Sequence, residues 1–115
     1  MADIDPASLA DYRVALQDLC DQLNQAYPVA ATLEAKDAIR GLTESIFDIL
    51  TTLNQADIAS NTPQYAAIKT TIGAVNQQLQ KVQSQIDDWI HVVSVSVQLN
   101  NAIGKAIDLA SKVFV

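Results

Sequence analysis

Apolar residues recur at alternating steps of three and four along almost the whole 115-residue chain. This spacing marks one face of an α-helix, which turns once in about 3.6 residues, whereas a half-buried strand alternates in steps of two. The longest seam of this kind consists of Tyr65, Ile68, Ile72, Val75, Leu79, Val82, Ile86, Trp89 and Val93. The pattern predicts an all-α protein in which a few long helices form an antiparallel bundle or a long helical hairpin, packed as in coiled coils.

Three helices are predicted, at about residues 6–27, 30–59 and 63–113. Pro6 and Pro63 suit first helical turns, where the missing N–H costs nothing, and Pro28 interrupts the pattern between the first two helices. The first two seams are Leu9, Tyr12, Leu16, Leu19, Leu23 and Ala26, then Ala35, Ile39, Leu42, Ile46, Ile49, Leu53 and Ala56. A chain of this length fits one modest core, so we expect residues 1–115 to form a single domain.

The stretch VVSVSV, residues 92–97, alternates like a strand, but the polar residues around it keep a helical phase. They are Thr70, Gly73, Gln77, Gln80, Ser84, Asp87, His91, Ser94, Gln98, Asn101, Lys105, Asp108 and Lys112. Since a strand between two helices would have reset this phase, we interpret residues 63–113 as one helix. The alternative is a break near residue 88 or 100, which gives a closed four-helix up-down bundle. Whether the first helix folds back at Pro28 stays open.

The C-terminal half of the predicted third helix is apolar over a wide arc. After Ile90 a second apolar stripe joins the first, and together they cover roughly 200°, against the 100° or more of an ordinary surface helix. One neighbouring helix cannot cover that arc, so we expect self-association here, with a dimer favoured. The candidate interface residues are Val92, Val95, Leu99, Asn100, Ala102, Ala106, Leu109 and Val113.

Two polar residues, Ser96 and Asn100, fall on the apolar side of this segment. One interpretation is that both are tolerated because they form hydrogen bonds with the backbone or a neighbour. The other is that Asn100 fixes register and oligomeric state, as a buried asparagine does in coiled coils.

The net charge of −6 is concentrated in the first half of the chain. Residues 1–60 hold ten acidic and three basic residues, whereas residues 61–115 hold three and four. Without a basic patch to neutralise phosphates, binding of nucleic acid is not expected. The acidic run of the second helix is Glu34, Asp37, Glu44 and Asp48. It is either a solvated face that includes an Arg40–Glu44 pair or a docking surface for a basic protein partner.

Sixteen residues, 89–104, contain no formally charged side chain. The segment is too short and too polar for a spanning helix, which needs about 20 predominantly apolar residues, so stable transmembrane insertion is not expected. Because residues 1–13 lack the apolar region of a secretory signal, a cytoplasmic location is expected.

Candidates for chemistry are few. Cys20 lies on an apolar face, which favours a buried structural thiol, and His91 lies on the polar stripe, where a solvated side chain is favoured over a metal ligand. No Glu-x-x-His repeat, phosphate-binding loop or known family pattern is present, so no catalytic residue, metal or cofactor is predicted.

These observations predict a non-enzymatic helical interaction or assembly module. One alternative is a membrane-active helical protein that exposes residues 89–104 to lipid. The other is a monomeric four-helix bundle that binds a protein partner through its acidic face.

Overall fold

The computed structural model describes residues 6–55 and 63–113. It contains four α-helices: α1 (Pro6–Ala26), α2 (Leu33–Gln55), α3 (Pro63–Trp89) and α4 (Val93–Val113), with a 3₁₀ turn at Tyr27–Val29 between α1 and α2. Over these two ranges the only β-type pairing is one isolated bridge. The predicted all-α helical bundle is confirmed.

The helices form a closed arrangement in which each one packs against two neighbours. α1 contacts α2 and α4, and α3 also contacts α2 and α4. Neighbours are antiparallel: Glu34, at the start of α2, lies beside Trp89, at the end of α3. The bundle measures 45 × 21 × 21 Å. The structure is therefore the four-helix form among the predicted alternatives.

The interpretation of residues 63–113 as one continuous helix is wrong, and the alternative of a break near residue 88 is correct. α3 ends at Trp89 and α4 begins at Val93 after only three connecting residues. Both helices turn an apolar face to the same core, and the short connection lets the polar stripe resume in phase. The continuous phase therefore did not indicate a continuous helix.

The first helix folds back, and a threonine sets the start of α2. Ala30 is extended after the 3₁₀ turn, and its N–H donates to the Tyr27 carbonyl at 3.3 Å. The Ala35 N–H then donates to Thr32 Oγ1 at 3.0 Å, so Thr32 is the N-cap of α2. α2 therefore begins three residues later than predicted, and its predicted last residues lie outside the described ranges.

The two connections α1–α2 and α3–α4 meet at one end of the bundle, here called the loop end. Ala30 and Ile90 form the isolated antiparallel bridge, and the Ala31 N–H donates to the Trp89 carbonyl at 2.8 Å. These contacts pair backbone groups that the interrupted helices leave without intrahelical partners. The loop end is thus joined by backbone hydrogen bonding between residues about 60 positions apart in sequence.

The core consists of the predicted seams with few exceptions. Buried members include Tyr12, Leu16, Leu19, Leu23, Ile39, Leu42, Ile46, Ile49, Ile72, Leu79, Val82 and Ile86. Leu9 and Tyr65 are partly buried against this core. Val93 is exposed because the helix carrying the rest of its predicted seam ends at Trp89.

Candidate interaction surface

The eight predicted interface residues do not share one surface. Four of them, Leu99, Ala102, Ala106 and Val113, are buried in the core of the chain itself. Val95 and Leu109 are partly buried against that core, while Val92 and Asn100 are exposed. α1 packs more extensively on α4 than any other pair of helices packs. The wide apolar arc is therefore covered mainly from within the chain, and self-association remains a prediction.

The two polar residues of α4 differ in environment. Ser96 is buried, and its hydroxyl donates to the Val93 carbonyl at 3.1 Å, which is the backbone bonding predicted for a tolerated polar residue. Asn100 is exposed. Asn100 is therefore not buried within this single chain, and a role in fixing register would require a second chain to cover it.

Valine side chains remain uncovered near the loop end. Val93 and Val97 lie one turn apart on α4 with 73% and 51% of their surface exposed, and Val92 precedes them. Leu33 is also exposed at the start of α2, on the same end of the bundle. Of this group, only Val92 is among the predicted interface residues, because the apolar stripes do not show which side of the helix faces α1.

The outer face of α2 is acidic. Glu34, Asp37, Glu44 and Asp48 are all exposed, and none of them forms an ion pair among the described residues. Their spacing of three, seven and four residues places them along one side of the helix. We call these four residues the acidic stripe.

The two basic residues of α2 are engaged elsewhere. The Lys36 ammonium lies 5.6 Å and the Arg40 guanidinium 5.3 Å from the centre of the Tyr27 ring, and Arg40 also donates a hydrogen bond to Tyr27 Oη. The predicted Arg40–Glu44 pair is therefore wrong: the tyrosine attracts the cation through its ring and its hydroxyl. Lys36 and Arg40 keep their positive charges, but neither forms an ion pair with the acidic stripe within the described residues, and its four carboxylates outnumber the two cations of α2.

Two shallow cavities lie one after the other along the seam between α2 and α3, and together they are here called the α2–α3 groove. Towards the loop end it has a volume of about 320 Å³ and is lined by residues that include Glu34, Ala38, Gly41, Leu42, Val82 and Trp89. Towards the other end it measures about 310 Å³ and is lined by Asp48, Ile49, Thr52, Ala67, Ile68 and Thr71. Two members of the acidic stripe, Glu34 and Asp48, thus border a groove with an apolar floor.

The two candidates for chemistry, Cys20 and His91, lie in different environments. Cys20 is buried, whereas His91 is exposed, as are the nearby carboxylates of Asp87 and Asp88. In the described part of the chain, no three His, Cys, Asp or Glu side chains are grouped so that they could hold a metal ion. The described residues thus form apolar and acidic surfaces, but no cluster that could bind a metal ion.

The buried thiol makes stability sensitive to alkaline pH. Burial, and to a smaller extent the charge of Asp21, raises the pKa of Cys20 to about 11. An unfolded thiol ionises near pH 8.5–9, so the contribution of the neutral thiol to stability is complete below about pH 8.5. It is lost as the pH rises to about 11, at a cost on the order of 2 kcal/mol. Burial also raises the pKa of Tyr12 above its usual range, which extends the loss above about pH 10.

Urea unfolding at a series of pH values tests this prediction. The Cys20→Ala variant should lose less stability than the wild type between about pH 8.5 and 10, because the remaining groups titrate alike in both proteins. Identical pH dependence of the two proteins contradicts the prediction.

Comparison with models of protein families, with curated proteins and with solved structures finds no match to this chain. Among the described helices, none combines the length and apolar character needed to cross a membrane. Exposure of residues 89–104 to lipid would require the bundle to open, because Trp89, Leu99 and Ile103 are buried inside it. The features that bear on function are therefore the acidic stripe, the α2–α3 groove and the exposed valines of α4.

Proposed function

We propose that the protein is a non-enzymatic helical interaction module that binds a basic protein partner through the acidic stripe of α2. The observation that carries the proposal is the excess of unpaired carboxylates in this stripe. Its four carboxylates are exposed and unpaired within the described residues, while the neighbouring cations contact Tyr27.

The division of charge between the two halves of the bundle also supports the proposal. α1 and α2 together hold seven acidic and three basic residues, whereas α3 and α4 hold three and four. Because α1 and α2 are neighbours, this places the negative potential on one side of the molecule. Such a field increases the rate at which a basic partner associates and orients it, with an effect that falls as salt rises.

The buried thiol supports a role other than catalysis. A nucleophilic cysteine acts as the thiolate, and the raised pKa of Cys20 keeps this thiol protonated at neutral pH. The single histidine, His91, is exposed in the connection between α3 and α4. Within the described part of the chain, neither Cys20 nor His91 forms a hydrogen bond or ion pair with a group that would activate it.

Charge variants test the proposal against a basic amphipathic peptide of lysine and leucine. Asp37→Lys combined with Glu44→Lys should weaken binding by about tenfold or more at low salt, because two favourable charges become repulsive. The matched control is Asp11→Lys with Asp18→Lys, which changes net charge equally on exposed positions of α1. The control should retain most of the affinity. Equal losses in both variants, or no binding to the wild type, would contradict the proposal.

Self-association is a second candidate, favoured by Val93 and Val97 on the uncharged segment of α4. A chain of net charge −6 repels its own copies, and an uncharged apolar surface is where two copies meet with least repulsion. Size-exclusion chromatography with light scattering should then show a concentration-dependent dimer that Val93→Ser with Val97→Ser abolishes. A compact monomer at micromolar concentration contradicts this candidate.

A further inference from the structure

We infer that the α2–α3 groove is the docking site for an amphipathic helix of the partner, with basic residues placed towards Glu34 and Asp48. This inference rests on the proposed function and specifies where and how the basic partner binds. The groove supplies the apolar contact that the acidic stripe alone does not offer.

Small side chains keep this seam open. Ala38 and Gly41 on α2 and Ala67 on α3 line the groove where longer side chains would fill it. A Cβ atom placed on Gly41 would meet no atom within 4 Å, so the space above this residue is empty. An apolar side chain of a partner can therefore approach the backbone of α2 closely at the middle of the helix.

The length of the seam suits a helical partner. The groove-lining residues of α2 extend from Glu34 to Thr52. At 1.5 Å per residue this corresponds to about 27 Å, the length of a helix of roughly 18 residues. A helix laid along a groove presents apolar side chains at successive turns, which is a common mode of peptide recognition.

Charge selects the partner's sequence. Glu34 borders the groove near the loop end and Asp48 borders it near the other end, whereas Lys81 is the one basic residue among the described residues that line its two parts. A helix with lysine or arginine on the side facing α2 would pair with both carboxylates. A helix with acidic residues at those positions would be repelled, which gives the site its specificity.

Trp89 provides a direct readout of this groove. It is the only tryptophan in the chain, it lines the groove at the loop end, and 7% of its surface is exposed. A tryptophan-free peptide that binds along the groove should therefore change the intrinsic fluorescence in a saturable manner. A peptide that binds elsewhere on the bundle should leave the emission unchanged.

The test titrates the full chain with two 18-residue peptides of equal positive charge. One carries lysine and leucine in a helical pattern, and the other has every leucine replaced by glutamine. The wild type should bind the leucine peptide with a change in Trp89 emission, and at least about tenfold more tightly than the glutamine peptide. Equal affinities for the two peptides would overturn the groove assignment while leaving charge-based binding in place.

A pair of glycine variants tests whether the peptide binds in the α2–α3 groove. Gly41→Gln should fill it and weaken binding of the leucine peptide about tenfold. Gly73→Gln is the matched control, since Gly73 is also exposed, lies within a helix and has no atom within 4 Å of a Cβ position, but borders the α3–α4 side of α3. Its affinity should stay within about twofold of the wild type. Circular dichroism checks that both variants fold.

The outcomes separate the two proposals. If Gly41→Gln binds like the wild type while the Asp37→Lys and Glu44→Lys variant loses affinity, the groove assignment is overturned and the proposed function is retained. If the wild type binds neither peptide, both are overturned. If Gly41→Gln instead dissociates a dimer seen by light scattering, the occupant is a second copy of this chain, and the assignment to a basic partner helix is overturned.

Discussion

Replacement of Leu99 by alanine is expected to lower the free energy of unfolding by about 2–5 kcal/mol. The Leu99 side chain is completely buried, so truncation removes its apolar contacts and leaves a cavity that the packed helices fill only in part. The loss should be measured by urea denaturation and should not depend on protein concentration, because the contacts lie within one chain.

Val93→Ala is the matched control on the same helix. Val93 is mostly exposed, so its truncation should change stability by less than about 0.5 kcal/mol. If Leu99→Ala instead has a small effect on the monomer and shifts an oligomer equilibrium, then Leu99 belongs to an interface between chains, and the closed bundle is not the form present in solution.

Replacement of Ala106 by leucine is expected to lower the free energy of unfolding by about 1–3 kcal/mol, because it overfills the core instead of leaving a cavity. Ala106 is 1% exposed and belongs to a row of buried alanines in α4, Ala102, Ala106 and Ala110. Small side chains let α4 approach its neighbours closely, and a leucine at this position forces the helices apart or into strained rotamers.

Thermal unfolding of Ala106→Leu beside Ala66→Leu checks this prediction. Ala66 is an exposed alanine of α3, where a leucine meets no packed neighbour and should leave stability nearly unchanged. Equal effects of the two substitutions would mean that α4 is not closely packed at Ala106.

Much of the helical core was predictable because burial follows periodicity. The positions that repeat at steps of three and four, such as Leu19, Ile46 and Leu79, are buried with almost no surface exposed. α1 and α3 begin at Pro6 and Pro63, as the conformation of proline at a first helical position predicts. These features depend on local sequence and therefore appear in it directly.

The break between α3 and α4 was harder to place because residues 90–92 contain neither glycine nor proline. Local sequence offers no turn signal there, and the interruption is stabilised by contacts distant in sequence, the bridge to Ala30 and the hydrogen bond from Ala31 to Trp89. The informative signal was the widening apolar arc after Ile90. It indicated several helical neighbours, and a chain that turns back at this point supplies them.

The α2–α3 groove and the engagement of Arg40 depend on how the helices are rotated against each other. The sequence identified the acidic stripe but not which of its members borders a groove. It also placed Arg40 beside Glu44 on one helix, whereas Tyr27 comes from the preceding turn and becomes a neighbour only when α1 folds back. Such contacts between elements are set by tertiary packing.

The closed arrangement of the helices would allow their order along the chain to be permuted circularly. α1 starts and α4 ends on the side of the bundle away from the loop end, and these two helices are neighbours. Packed helices lie about 8–10 Å apart, so a few residues could join Val113 to Pro6. A circular permutant that runs from α3 through α4 and α1 to α2 would keep all four pairs of neighbouring helices. In that molecule both surfaces proposed for binding would be unchanged from the natural chain. Its two ends would lie in the segment that now connects α2 to α3.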